Sequence, residues 1–174
     1  INLAIKGVAE RYSMRGKHII TCVTEHTAVL DTCDRLEKSG CIITPLGVSG
    51  DGLICLEELK NAIREDTILV AVRMANNETC VIQDIHSIST ICREREVLLF
   101  SDATQAAGKI PIDVDRMGID LLAISAHKFY GPKGSGALYV RRRNPRVKLS
   151  PLLDGGGHEK GLRSGTLNVP GIIG

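Results

Sequence analysis

Between Lys17 and Arg142 short apolar, β-branched runs alternate with amphipathic stretches, and nothing else in the chain restricts its fold as much. Apolar runs of strand length separated by one-sided helices can bury themselves only as a sheet covered by those helices, so the fold class is α/β with a largely parallel sheet. The pattern predicts strands over His18–Val23, Cys41–Leu46, Ile68–Arg73, Val97–Ser101, Leu121–Ser125 and Ala137–Arg141, and helices over Ala28–Lys38, Leu56–Arg64 and Ile85–Arg95. Gly40, Gly50, Gly52 and Gly118 punctuate the connections. On the second helix Leu56, Leu59 and Ile63 fall on one stripe, which assigns it to packing rather than to chemistry.

Polar residues gather where these strands should end: Thr24-Glu25-His26, Asn76-Asn77-Glu78, Asp102-Ala103-Thr104-Gln105 and Ser125-Ala126-His127-Lys128. In open α/β sheets ligands bind beyond the carboxyl ends of the strands, so four such clusters define one expected site.

Composition narrows what that site serves. A net charge of +2, with 3% aromatic residues and no Trp, offers neither a basic nucleic-acid surface nor stacking platforms for bases. Arg141-Arg142-Arg143, Arg146 and Lys148 read as a solvated turn rather than as a nucleic-acid patch. No apolar run is long enough to span a membrane. The six cysteines, Cys22, Cys33, Cys41, Cys55, Cys80 and Cys92, contain no C-x-x-C pair, which argues against a metal or thioredoxin-type site and for reduced, mostly buried thiols in a cytoplasmic protein. The chain begins at Ile1 without Met and stops within an apolar run at Gly174, and is expected to be a piece of something longer.

Lys128 follows an apolar strand rather than lying on a charged helix face, so its amine is expected at the sheet edge, partly desolvated and able to attack a carbonyl as a Schiff-base nucleophile. A snorkelling surface lysine is the plain alternative. Asp102, at the end of the preceding strand, changes the balance, because a pyridoxal-phosphate enzyme needs a lysine for the aldehyde and a carboxylate for the pyridine nitrogen. A helix N-cap before Ala103 is the structural alternative for Asp102. Ser125, His127 and the glycines Gly131, Gly134 and Gly136 offer donors suited to a phosphate, although the glycine run lacks the ending of a P-loop. His26 is able to stack on a flat ring and exchange protons near neutral pH, and Gln105 to hydrogen-bond a ring hydroxyl.

These clusters, with Ala28-Val29-Leu30-Asp31-Thr32-Cys33, Tyr130-Gly131-Pro132-Lys133-Gly134, Gly155-Gly156-Gly157-His158-Glu159 and Arg163-Ser164-Gly165-Thr166, resemble the cysteine desulfurases of the IscS/NifS type over essentially the whole chain. That resemblance implies the large pyridoxal 5'-phosphate-binding domain of the aspartate-aminotransferase fold, a mostly parallel, mixed central sheet covered by helices. It implies that Lys128 holds the cofactor aldehyde and serves as acid and base, that His26 stacks on the ring and assists proton transfer, that Asp102 pairs with the ring nitrogen and that Gln105 bonds the phenolic oxygen. Ser125 and His127 would hold the phosphate, Thr166 would reach the phosphate site of the neighbouring subunit of a homodimer, and Asn77 would orient L-cysteine. The implied reaction turns L-cysteine into L-alanine and passes sulfur, as an enzyme persulfide, to an acceptor or iron–sulfur scaffold protein or toward tRNA thiolation.

The resemblance also implies elements that this chain does not contain. The sulfur-accepting cysteine loop and the arginine for the substrate carboxylate belong beyond Gly174, and an Ala-Thr turn of the phosphate cup precedes Ile1; none of the six cysteines takes the nucleophile's position. Cys80 stands where the family usually has glycine, a candidate for local strain or adventitious reactivity, with a packed thiol as the plainer reading. A selenocysteine lyase, a cysteine sulfinate desulfinase, or a non-catalytic cofactor- or partner-binding scaffold are the alternatives.

Overall fold

The computed structural model describes every residue from Ile1 to Gly174. Each apolar run becomes a five-residue strand: β1 His18–Cys22, β2 Ile42–Leu46, β3 Thr67–Ala71, β4 Leu98–Asp102, β5 Leu121–Ser125 and β6 Gly136–Val140. The helices are α1 Asn2–Arg11, α2 Thr27–Glu37, α3 Leu56–Ala62, α4 Ile85–Glu94 and α5 Val169–Ile173. The expected elements all form, with ends displaced by no more than two residues. Helices α1 and α5 were not anticipated, although Ala4, Ile5 and Val8 carry the one-sided spacing of a buried helix.

The strands form one sheet in the order β2-β1-β3-β4-β5-β6. Every pairing is parallel except that of β5 with β6, which is antiparallel. From β1 the chain crosses to one side for β2 and returns to the other for β3, so the direction of winding reverses between β1 and β3 and opens a crevice beyond their carboxyl ends.

Both faces of the sheet are covered, which is why β1, β3 and β4 are buried along their whole length and read as continuous apolar runs. Ile20, Cys22, Val70 and Leu99 point into one core with Leu59 of α3 and Ile88 of α4. Ile19, Leu69, Ala71 and Phe100 point into the other with Ile5 and Val8 of α1 and Val29 of α2. The α3 stripe packs as expected, with Leu59 fully buried and Leu56 against the same core. Strand β2 lies at an edge, where Pro45 costs no ladder donor on the open side. Within the sheet His18 satisfies both ring nitrogens on threonines, Nδ1 with Thr67 Oγ1 at 2.7 Å and Nε2 with Thr44 Oγ1 at 2.8 Å, tying β1 to both neighbours.

Two expectations are corrected here. All six thiols are free, but only Cys22, Cys33 and Cys92 are buried, while Cys55 and Cys80 are exposed. Cys80 is therefore no packed thiol; it has φ +60, the left-handed region that glycine occupies without cost, so the departure at this position carries backbone strain. Arg141 does not belong to a solvated turn. It is buried, donates from Nε to the Ile119 carbonyl at 3.0 Å and from Nη2 to the Val114 carbonyl, and pairs with Asp120 at 3.3 Å and Asp115 at 2.7 Å. Its charge is used inside the fold, and only Arg142, Arg143, Arg146 and Lys148 of the basic run remain exposed. No helix is long and apolar enough to cross a membrane.

Candidate active site

The carboxyl ends of four neighbouring parallel strands carry, in spatial order, His26 after β1, Asn77 after β3, Asp102 ending β4 and Lys128 after β5. The four polar clusters therefore stand in one row on one edge of the sheet. Because β6 runs antiparallel and Gly136 lies opposite Ser125, the glycine-rich loop 131–135 returns to that edge. Helix α5 comes back to it as well: a Cβ on Gly171 would lie 2.8 Å from Ser135 Oγ.

Asp102 is the buried member of the row, 4% exposed. Its Oδ1 accepts the Thr104 N–H at 2.9 Å, so one carboxylate oxygen caps the following turn and the other remains available. No helix follows; residues 104–109 form turns, and Gln105 sits there half-buried, its Oε1 accepting from Lys109 Nζ at 3.0 Å. The helix N-cap alternative for Asp102 thus gives way to a capped turn.

Lys128 ends a short 3-10 turn over Ala126–Lys128. Its Nζ makes no hydrogen bond or ion pair within the chain, but the side chain is exposed rather than partly desolvated. Burial fades along β5, and the turn carries the lysine past the last covered residue. Beside it Ser125 Oγ and His127 Nδ1 are hydrogen-bonded at 2.9 Å. Gly134 has φ +82 and no atom within 4 Å of where a Cβ would stand, leaving an open backbone loop next to that hydroxyl–imidazole pair.

His26 caps α2: its Nδ1 accepts the Ala28 N–H at 3.1 Å, which places the proton of a neutral ring on Nε2. Asn76 and Asn77, identical in type, are used differently. Asn76 is consumed by its own turn, its Oδ1 accepting the Glu78 and Thr79 N–H groups at 2.8 and 3.1 Å while its Nδ2 donates to the Thr24 carbonyl at 3.2 Å. Asn77 spends only Oδ1, which accepts from Arg73 Nη2 at 2.8 Å, and keeps its amide nitrogen free. Thr166 is exposed and its hydroxyl has no hydrogen-bond partner within the chain, so it does not join the row from this copy.

Sequence reasoning assigned no role to Glu25 or Arg73, and both are buried beneath the row. The Arg73 N–H donates to Glu25 Oε1 at 2.6 Å, whereas Glu25 Oε2 is buried without a partner. Burial pushes the Glu25 carboxyl up from an ordinary 4.5 to about 8; the Arg73 N–H and guanidinium oppose this and the nearby Asp102 charge adds to it. The sequence signals were slight: Glu25 within the polar cluster after β1, and Arg73 as a charged residue closing the expected strand Ile68–Arg73.

The raised Glu25 value has a consequence for stability. Between about 4.5 and 8 the folded chain binds the proton that the unfolded chain releases, so this group's contribution falls as pH rises through that window and is level above it. Glu25→Gln keeps an acceptor for Arg73 N–H but cannot ionise. Urea unfolding at pH 5 and pH 9 is expected to show the mutant losing less stability than the parent over that interval; equal losses would refute a protonated Glu25.

This donor set suits pyridoxal phosphate: an unpaired amine and a buried carboxylate at adjacent strand ends, with a hydroxyl–imidazole pair beside an open glycine loop. No group of three or more His, Cys, Asp or Glu residues is placed to hold a metal ion.

Comparison with known proteins agrees with the geometry. The chain belongs to the aminotransferase class-V family, whose profile it matches over residues 1–174. It is 61% identical over 173 residues to the cysteine desulfurase IscS of Neisseria meningitidis and 58% identical over 173 residues to that of Histophilus somni, in each case across 99% of this chain and 43% of the relative. Among solved structures, SspA in complex with cysteine superposes with a TM-score of 0.93 at 45% identity, across 99% of this chain and 49% of SspA. The chain thus spans less than half the length of the curated relatives it matches.

Proposed function

We propose that this chain forms most of the large cofactor-binding domain of a pyridoxal-phosphate-dependent cysteine desulfurase, a sulfur-transferring enzyme that converts L-cysteine to L-alanine. The observation that carries the reading is the placement of Lys128 and Asp102 at the ends of the adjacent parallel strands β5 and β4. High identity to IscS proteins, and the cysteine held by SspA, support the substrate.

When bound, pyridoxal phosphate supplies an electron sink for the carbanion formed at the amino acid's Cα. Lys128 provides the amine that holds the cofactor's aldehyde and then moves the proton to and from Cα. Asp102 would hold a positive ring N–H, a role suited to a carboxylate whose second oxygen is unused by the fold. His26, with Nδ1 anchored by Ala28, would stack on the cofactor ring and carry protons on Nε2. Gln105, whose Oε1 accepts from Lys109 and whose Nε2 is free, would donate to the phenolic oxygen, and Ser125 with His127 would hold the phosphate. Asn77 directs its free amide N–H groups to the substrate.

Thr166 serves the phosphate site of a second copy, which makes the working unit a homodimer, in keeping with an exposed hydroxyl unpaired within its own chain. None of the six cysteines is assigned as the sulfur acceptor; the thiolate of another cysteine of the whole enzyme would attack the substrate sulfur, its S–S bond forming as the Cβ–S bond breaks and the electron pair passes to the alanine side, and the enzyme persulfide would then serve iron–sulfur assembly or tRNA thiolation through an acceptor protein in the cytoplasm.

Borohydride reduction of the cofactor-loaded enzyme followed by peptide mapping tests the reading. The label is expected on Lys128, with equimolar alanine formed from cysteine before reduction. Label on another lysine, or no alanine, would overturn it.

A further inference from the structure

We infer that Arg73 is a positioning residue for this site: from beneath the row it holds the Asn77 side-chain carbonyl and the Thr24 backbone carbonyl together, so that Asn77 offers only N–H donors to whatever enters the crevice. The inference rests on the desulfurase reading for the identity of that ligand, but not for the geometry.

Arg73 lies two residues past β3, at the reversal of winding where the β1 and β3 ends separate. It is 6% exposed, and each of its three guanidinium nitrogens donates: Nε to the Ala75 carbonyl at 3.1 Å, Nη1 to the Thr24 carbonyl at 3.2 Å and Nη2 to Asn77 Oδ1 at 2.8 Å. One planar group therefore joins the turn that carries His26 to the turn that carries Asn77. Glu25 locks the same joint from the other side by accepting the Arg73 backbone N–H.

Two effects follow for Asn77. A guanidinium has no acceptor, so the contact decides which end of the amide faces it, and the Nδ2 donors are left for the crevice. The three oxygens that Arg73 holds are all uncharged carbonyls, so its positive charge is not cancelled by them and polarises the Asn77 amide, strengthening those donors. A donor of this kind selects an anionic oxygen, such as the carboxylate of an amino acid. Asn76, bound up in its own turn, offers no substitute.

Arg73→Met keeps an apolar stem of similar length and removes all three donors. In the cofactor-loaded enzyme, about a tenfold rise in KM for cysteine is expected, the loss of a charge-assisted hydrogen bond, with kcat changed by less than about threefold and the cofactor absorbance retained. Because Arg73 acts through Asn77, the same change made in an Asn77→Ala background should raise KM by less than about twofold. The side-chain amide pair of Asn77, followed by 15N NMR, should shift in Arg73→Met whether or not cysteine turns over. Should Arg73→Met fail to fold, Arg73→Lys serves: it keeps the charge but cannot span the carbonyls, and the same KM rise and amide shift are expected. An unmoved amide pair, or additive effects of the two substitutions on KM, would overturn the inference. Absence of alanine formation in the parent enzyme would instead overturn the desulfurase reading, leaving the amide resonances to decide the role of Arg73.

Discussion

If the desulfurase reading holds, Lys128→Ala should lower alanine production from cysteine by on the order of 1,000-fold or more, because the substitution would remove both the covalent anchor and the group proposed to move the Cα proton. The fold should hardly notice. Lys128 is exposed and its Nζ bonds to nothing within the chain, so the stability change belongs to the surface class, within about 0.5 kcal/mol. Asp102, Ser125 and His127 remain in place, and the mutant is therefore expected to retain cofactor that leaves on dialysis and is not trapped by borohydride. Kinetics of alanine release, with denaturation midpoints as the control, check both halves. A mutant that turns over cysteine within tenfold of the parent would show that another amine does the work.

Asp102→Asn isolates charge from shape. The substitution preserves an oxygen to accept the Thr104 N–H, so the turn over residues 104–109 keeps its cap. On the desulfurase reading, the negative charge that would keep the ring nitrogen protonated is lost at a buried position, where no solvent replaces it. A fall in kcat of about tenfold or more, on the order of 1.4 kcal/mol upward, is expected with cofactor still bound through Lys128. The loss should fall on kcat rather than on cofactor occupancy, which absorbance titration measures separately. Normal alanine production by Asp102→Asn would remove Asp102 from the mechanism.

Much of this candidate site can be read from one chain because its main clusters follow apolar runs. Strand ends are local features, and Thr24-Glu25-His26 or Ser125-Ala126-His127-Lys128 announces itself by the abrupt change from apolar to polar residues. Arg73 and Glu25 were passed over for a related reason: a charged residue beside a strand looks solvated until the fold closes over it. Arg141 repeats the lesson. It stands first in a basic run, yet its guanidinium lies in the interior, matched to Asp120 and Asp115, while the arginines that follow it remain in solvent.

The apolar periodicity of the sequence was enough to determine the α/β class and the positions of the six strands, since burial of alternate or continuous side chains leaves a local trace in residue type. It also set which polar clusters follow which strands. The sheet order β2-β1-β3-β4-β5-β6, and with it the adjacency of Asp102 to Lys128 and of the His26 turn to the Asn77 turn, was decided only by the tertiary structure. Apolar strands of similar character can pair with any neighbour as far as periodicity is concerned, and the choice rests on crossover handedness and on how helices fill both faces at once. The same distinction separates Asn76 from Asn77. They are equal in type, and only the folded connection after β3 decides that the Thr24 carbonyl takes the Asn76 amide while Arg73, four residues before Asn77, holds that side chain by its oxygen and leaves its amide free.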